Sequence, residues 1–197
     1  NQKDSQGRDY TPAFNALIKK GLYIERFYGN SIQTAKGHYS ILFSSLPSKY
    51  GKAFTHYSDN NYLSIATLLS NLGYDTRFIQ SYYNPNFDNT NTMLTKHGFS
   101  KFLTYMDLNP HIKKEDFPGW GAPDTDLYQS FFKHIDANPP TGPLFATIAT
   151  IHSHTPFKVP PSKRHRFSHP KTLKERYTNS IYLTDQSLPL FIEELQQ

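Results

Sequence analysis

Apolar positions recur at two periods along the chain, and the alternation of those periods predicts its elements. Phe14, Leu17 and Ile18 share one helical face behind Thr11-Pro12, which reads as an N-cap followed by Pro at the first helical position. Gly21 ends that helix. Leu22 to Tyr28 predicts a strand, Gly29 to Gln33 a turn, and a second helix starts near Thr34. Tyr62 to Leu72 is amphipathic, with Ile65, Leu68, Leu69 and Leu72 at helical spacing and Gly73 closing the run. Tyr74 to Gln80 predicts a strand, and Ser81 to Asn91 a polar loop. Pro123-Asp124 opens a helix carrying Leu127, Phe131 and Ile135, with Asp124 as its cap. Pro139 to Gly142 is a turn. Leu144 to Ile151 is an uninterrupted apolar run, as in a strand buried on both faces. His152 to His169 is a loop, and Thr172 to Leu195 a helix that Pro189 should kink or divide.

Strands alternating with helices predict an α/β domain with a mainly parallel sheet and helices on both faces. Ligands of such sheets gather at the carboxyl ends of strands. Three segments leave predicted strands in that way: those after Tyr28, Gln80 and Ile151.

Composition narrows the classes. The 197 residues suffice for one domain, and 37% hydrophobic with 15% aromatic residues supports a packed core rather than disorder. A net charge of +5 suits an anionic partner, although the positive charges are scattered. The densest run, Lys163-Arg164-His165-Arg166, is explained by a short solvated loop. No nucleic-acid signature is present. The absence of cysteine excludes disulfides, thiolate metal sites and a Cys nucleophile. No apolar stretch approaches the roughly 20 residues needed to span a bilayer. The start, Asn1-Gln2-Lys3-Asp4, is not a signal peptide, and the absence of an initial Met suggests a processed or excised piece.

Four segments hold candidate chemistry. In Gly29 to His38, a Thr hydroxyl at a helix start lies near free backbone N–H groups, which favour an alkoxide or a phosphoryl oxygen; a plain helix cap explains Thr34 as well. In Ile151 to Phe157, His152 and His154 end an apolar strand and could hold an anion or a metal, or be one surface and one hydrogen-bonded His. Asn86 to Asn89 also fits ordinary Asx turns. Trp120 is a packed anchor or a ligand-facing ring.

The order of these segments adds a resemblance. Thr11-Pro12-Ala13-Phe14-Asn15-Ala16-Leu17, Gly21-Leu22-Tyr23, Gln33-Thr34-Ala35-Lys36-Gly37 and Ser45-Leu46-Pro47 come first. Leu72-Gly73-Tyr74, Phe87-Asp88-Asn89, His97-Gly98-Phe99, Trp120-Gly121 with Asp124 to Leu127, Ser153-His154-Thr155-Pro156-Phe157 and Tyr182-x-x-Asp185 follow. Together, over residues 11 to 195, they resemble the sulfatase-like alkaline phosphatase superfamily of the lipoteichoic acid synthase and phosphoglycerol transferase type. Gln33 and Lys36 stand where that family has Arg, and Lys36 keeps the charge but loses the bidentate fork.

The resemblance implies that Thr34 is both the nucleophile and a metal ligand. It implies substrate-facing roles for His154, Lys36, Asn89 and Trp120. The cofactor is then a divalent ion (Mn, Mg or Zn) with its remaining ligands outside the chain. Residues 1–197 become the central part of one catalytic domain, without its N-terminal and C-terminal metal-ligand strands. The implied substrates are phospholipids or phosphorylated glycans, not nucleic acid. The implied location is the outer side of the cell membrane, with membrane association through other segments. Phosphoethanolamine transfer, phosphodiester hydrolysis, a sulfatase-like hydrolase and a non-catalytic binding module of the same fold are the alternatives.

Overall fold

The computed structural model describes residues 3, 4, 6–117 and 119–196. Asn1 and Gln2, part of the Asn1-Gln2-Lys3-Asp4 start, lie outside them. In chain order the elements are α1 Pro12–Leu17, α2 Thr34–Phe43, α3 Ala53–His56, α4 Ile65–Asn71, β1 Asp75–Gln80, α5 Thr90–Lys96 and β2 Lys101–Thr104. Then come α6 Tyr105–Leu108, α7 Asp124–Ala137, β3 Leu144–Ala149 and α8 Leu173–Glu194. The strands form one parallel sheet in the order β2-β1-β3.

Side chains alternate across the central strand and split the core in two. Phe78 joins a cluster with Leu42, Phe43, Phe54, Met93 and Leu94 beneath α2 to α5. Its neighbour Ile79 joins Tyr105, Leu127 and Phe131 beneath α6 and α7. Helices therefore cover both faces, as the alternation of elements predicts.

The central strand is polar by composition yet buried at all six positions. Arg77 makes this possible. Its guanidinium donates to both carboxylate oxygens of Asp75, at 2.9 and 2.6 Å, and to the Asn138 carbonyl at 3.0 Å. Thr76 donates to the Gly98 carbonyl. Pairing of this kind offsets the cost of removing charge from water.

Several expectations are corrected. The segment Leu22 to Tyr28 is not a strand, and Leu22, Ile24, Phe27 and Tyr28 are exposed. A strand needs a ladder partner for its N–H and C=O groups, and among the described residues this one has none. β3 ends at Ala149 rather than Ile151, and it is a half-buried edge strand instead of one buried on both faces. Pro189 does not divide α8, which runs unbroken through it near the helix end. Asp124 is the first helical residue, with Pro123 in the cap position. The Ser81 to Asn91 loop already enters α5 at Thr90.

The Lys163 to Arg166 run is not merely solvated. Arg166 stacks 4.0 Å over the Tyr182 ring and donates to the Asp9 carbonyl, while Arg164 donates to the Val159 carbonyl. The Thr11 side chain does not cap α1; Asp185 of α8 does, accepting from the amides of Ala13 and Phe14 at 2.8 Å each.

Candidate functional site

A cleft of about 440 Å³ opens at the carboxyl ends of β1 and β3, where a parallel sheet gathers ligands. Thr34 lines it as the first residue of α2, with Gln33 in the cap position. Gln33 makes no side-chain cap bond, so the first amides of α2 keep the partial positive charge of a helix start. The Thr34 side chain is exposed. His38 lies one helical turn further on, on the same face, and also lines the cleft.

The opposite wall is aromatic. Trp120 and His154 pack with ring centroids 4.4 Å apart, and Tyr82 and Phe87 meet the indole at 5.7 and 6.3 Å. Gly121 holds the indole in place through a bridge to Tyr82. A Cβ on Gly121 would sit 2.4 Å from the Ser81 carbonyl oxygen, so only glycine permits this approach. Ser81 also donates to the Ala122 carbonyl at 2.7 Å.

The loop after β3 is pinned before it reaches His154. Asp124 accepts from the His152 amide at 3.3 Å and from the Thr184 hydroxyl at 2.8 Å. Ser180 donates to the His152 carbonyl at 3.1 Å. Burial raises the Asp124 pKa and lowers that of His152, so both ionise less readily than usual. Buried His152 thus anchors the loop, and exposed His154 faces the cleft.

Of the residues assigned from the sequence, Thr34, Trp120 and His154 meet at this cleft. Lys36 and Asn89 do not line it. Lys36 donates to the Ser48 carbonyl at 2.9 Å, and Asn89 to the Phe54 carbonyl at 2.8 Å. Other side chains enter to which the sequence assigned no role at the site, although Asp88 lies in the Asn86 to Asn89 segment. Lys52 and Asp88 form an ion pair at 2.7 Å on the rim. Lys52 has no local signal, because its partner lies 36 residues away. His38 was legible in principle, at helical spacing from Thr34. Burial drops its pKa to about 4, so the imidazole is neutral near pH 7.

The cleft does not hold a complete set of divalent-metal ligands. Asp88 is committed to Lys52, His38 packs edge-on against Phe78, and His154 stacks on Trp120. Among the described residues no three His, Asp or Glu converge on one point. A hard cation needs several such donors, and Thr34 offers one oxygen.

A family model described as Sulfatase matches residues 4–197. The chain belongs to the sulfatase family. It is 24% identical over 194 residues to the lipoteichoic acid synthase-like protein YvgJ of Bacillus subtilis, covering 96% of this chain and 31% of that protein. Its fold matches the lipoteichoic acid synthase LtaP of Listeria monocytogenes with a TM-score of 0.83 at 24% identity, over 97% of this chain and 47% of that one. It also matches the Streptococcus pyogenes phosphoglycerol transferase GacH, solved with sn-glycerol-1-phosphate, with a TM-score of 0.69 at 19% identity. That match covers 96% of this chain and 52% of GacH. This sulfatase-family chain thus spans less than half the length of YvgJ or LtaP, and about half that of GacH. No helix among its described residues is long and apolar enough to cross a membrane.

Proposed function

We infer that this chain is the nucleophile-bearing central part of a phosphoglycerol-transferase-type catalytic domain acting on phosphodiesters of membrane lipids or cell-envelope glycans. One observation carries the reading: the exposed Thr34 hydroxyl stands at the start of α2, facing the Trp120–His154 wall across a cleft at the strand ends. The similarity to YvgJ, LtaP and GacH supports the same class.

In the first step Thr34 Oγ attacks phosphorus. An Oγ–P bond forms, the P–O bond to the leaving alcohol breaks, and the alcohol takes up the proton that the threonine gave away. In the second step an acceptor alcohol or water attacks the phosphothreonine, breaks the Oγ–P bond and returns a proton to Thr34. The first amides of α2 favour negative charge on the phosphoryl oxygens. Trp120 and His154 hold the group attached to phosphorus. Lys36 and Asn89, bonded to carbonyls, keep the frame of the cleft.

Thr34 would contribute one oxygen ligand to a divalent ion, Mn, Mg or Zn, with the remaining ligands supplied from outside the described residues, and such an ion would supply charge that lowers the pKa of the hydroxyl. The domain works outside the cytoplasmic membrane, held there by other segments of the protein.

The test uses the intact protein with vesicles bearing phosphatidylglycerol. Peptide mass spectrometry should find a glycerophosphate adduct on the peptide containing Thr34. A phosphoethanolamine adduct, obtained with phosphatidylethanolamine instead, would move the donor within the same class. Thr34→Ala should lower turnover by at least about a thousandfold, as loss of a nucleophile does. Turnover retained in a folded Thr34→Ala protein sinks the assignment.

A further inference from the structure

Lys52 and Asp88 take no part in the two chemical steps. Yet among the described residues they supply every Lys, Arg, Asp or Glu side chain that lines the Thr34 cleft. The Lys52 ammonium donates to both carboxylate oxygens of Asp88, at 2.7 Å each. The two side chains are exposed by only 23% and 17%. Water therefore screens their charges less than it would on an open surface. The charges cancel each other, but the cleft still presents one cation and one anion to whatever enters it.

The two partners differ in freedom. Asp88 is fixed by its backbone, with φ 51° and ψ 26°, and Asn89 follows it with φ 56° and ψ 27°. These are two successive left-handed residues without a glycine, a conformation that Asp and Asn hold at lower cost than other side chains. Bonds close the turn on both sides. Asn89 donates to the Phe54 carbonyl at 2.8 Å, the Thr90 hydroxyl to the Phe87 carbonyl at 2.7 Å, and the Asn91 amide to the Pro85 carbonyl at 3.2 Å. Phe87, next to Asp88, packs edge-on against Trp120. The carboxylate is thus a built part of the cleft. Lys52 instead carries its ammonium on a flexible four-carbon stem. Two of its three N–H donors go to Asp88, and the third has no partner among the described residues.

A fixed carboxylate beside a mobile ammonium treats anions unequally. A phosphodiester carries one negative charge. A phosphomonoester carries nearly two above its second ionisation, near about pH 6. Lys52 attracts both, but Asp88 repels the doubly charged group more strongly, and the poor screening of the site enlarges the difference. Discrimination of this kind comes from the repulsive element as much as from the attractive one.

We propose that Asp88 and Lys52 are the specificity-determining pair of this cleft, admitting singly charged phosphodiesters and rejecting doubly charged phosphomonoesters. The proposal rests on the phosphodiester reading above and assigns the discrimination within it to two residues. Lys52 gives its remaining N–H to a phosphoryl oxygen. Asp88 holds the ammonium in place and supplies the repulsion.

The experiment is calorimetric titration of the intact protein at pH 8, with Thr34→Ala present throughout to stop turnover. The probes are glycerophosphoglycerol, a diester, and glycerol 1-phosphate, a monoester. The starting protein should bind the diester at least about tenfold more tightly. Asp88→Asn keeps the side-chain size and suits the left-handed turn, and circular dichroism checks that it folds. It should narrow the preference at least about fivefold, chiefly by tightening the monoester. Lys52→Met keeps the stem without the charge and should weaken the diester at least about tenfold, whereas Lys52→Arg should stay within about threefold. All other charges of the intact protein are common to these variants and cancel in the comparison. A missing starting preference, an unchanged preference in folded Asp88→Asn, or diester binding untouched by Lys52→Met overturns the pair and leaves the phosphodiester reading standing. Binding of neither probe overturns both.

Discussion

The indole of Trp120 and the imidazole of His154 lie 4.4 Å apart between ring centroids, inclined by 32°, and make one wall of the Thr34 cleft. His154 Nδ1 lies 2.8 Å from the Thr155 carbonyl oxygen, which calls for a proton on Nδ1 and leaves Nε2 as the acceptor of the neutral ring. Trp120→Ala removes a stacking partner worth about 1 kcal/mol. Steady-state kinetics should show KM rising about fivefold with kcat little changed, whereas Trp120→Phe should stay within about twofold. A fall in kcat alone would contradict a binding role for the wall.

Gly121 sets the position of that wall. A Cβ there would meet the Ser81 backbone at 2.4 Å, so Gly121→Ala must break the bridge to Tyr82 or shift it. Trp120 is the only tryptophan, and its fluorescence therefore reports on this site alone. The expected outcome is a red-shifted emission and a stability loss of about 1–3 kcal/mol in urea. An unchanged spectrum would show that the bridge does not position the ring.

Burial makes His38 a pH-dependent liability. Its pKa is about 4 in the folded chain and about 6.5 unfolded, so the unfolded chain takes up the proton first as pH falls. Stability is unaffected above pH 6.5 and declines from there toward pH 4, by up to about 3 kcal/mol. Its Nδ1 is shielded and has no hydrogen-bond partner among the described residues. His38→Leu should flatten the stability profile between pH 4.5 and 7 in urea titrations, with little loss at pH 7.

The buried Asp75–Arg77 pair also loses stability as pH falls, but in a lower pH window. Hydrogen bonds from the guanidinium hold the Asp75 carboxyl below its usual range. The stabilisation is complete above the unfolded value near 3.9 and is lost as pH falls through the lower folded value. Asp75→Asn leaves a guanidinium uncompensated in the centre of the sheet and should cost about 3–5 kcal/mol. Asp75→Leu combined with Arg77→Met should cost less than either single change, as a double-mutant cycle would show.

Asp185 fastens α1 to α8 through the amides of Ala13 and Phe14. Asp185→Ala should cost about 1–2 kcal/mol, typical of a lost helix cap. Hydrogen exchange at those two amides should accelerate more than exchange in β1. Uniform acceleration along the chain would point to global destabilisation instead.

The α/β class, the helix starting at Thr34 and the strand ending at Gln80 were legible because local periodicity encodes them. So were the segments containing Trp120 and His154. What the sequence alone misjudged were positions governed by distant partners. The apolar run Leu144 to Ile151 suggests a strand buried on both faces, yet the central strand is β1, because Arg77 and Asp75 neutralise each other inside the sheet. Leu22 to Tyr28 has strand propensity but no ladder partner among the described residues. Lys36 and Lys52 look alike in sequence; only folding sends one to the Ser48 carbonyl and the other to Asp88 on the rim of the cleft. Thr34 itself illustrates the division. Its place at a helix start was fixed by the residues around it, through turn and capping preferences that act over a few positions. The cleft it faces is assembled from segments up to 120 residues away, by packing and hydrogen bonds that no local pattern records.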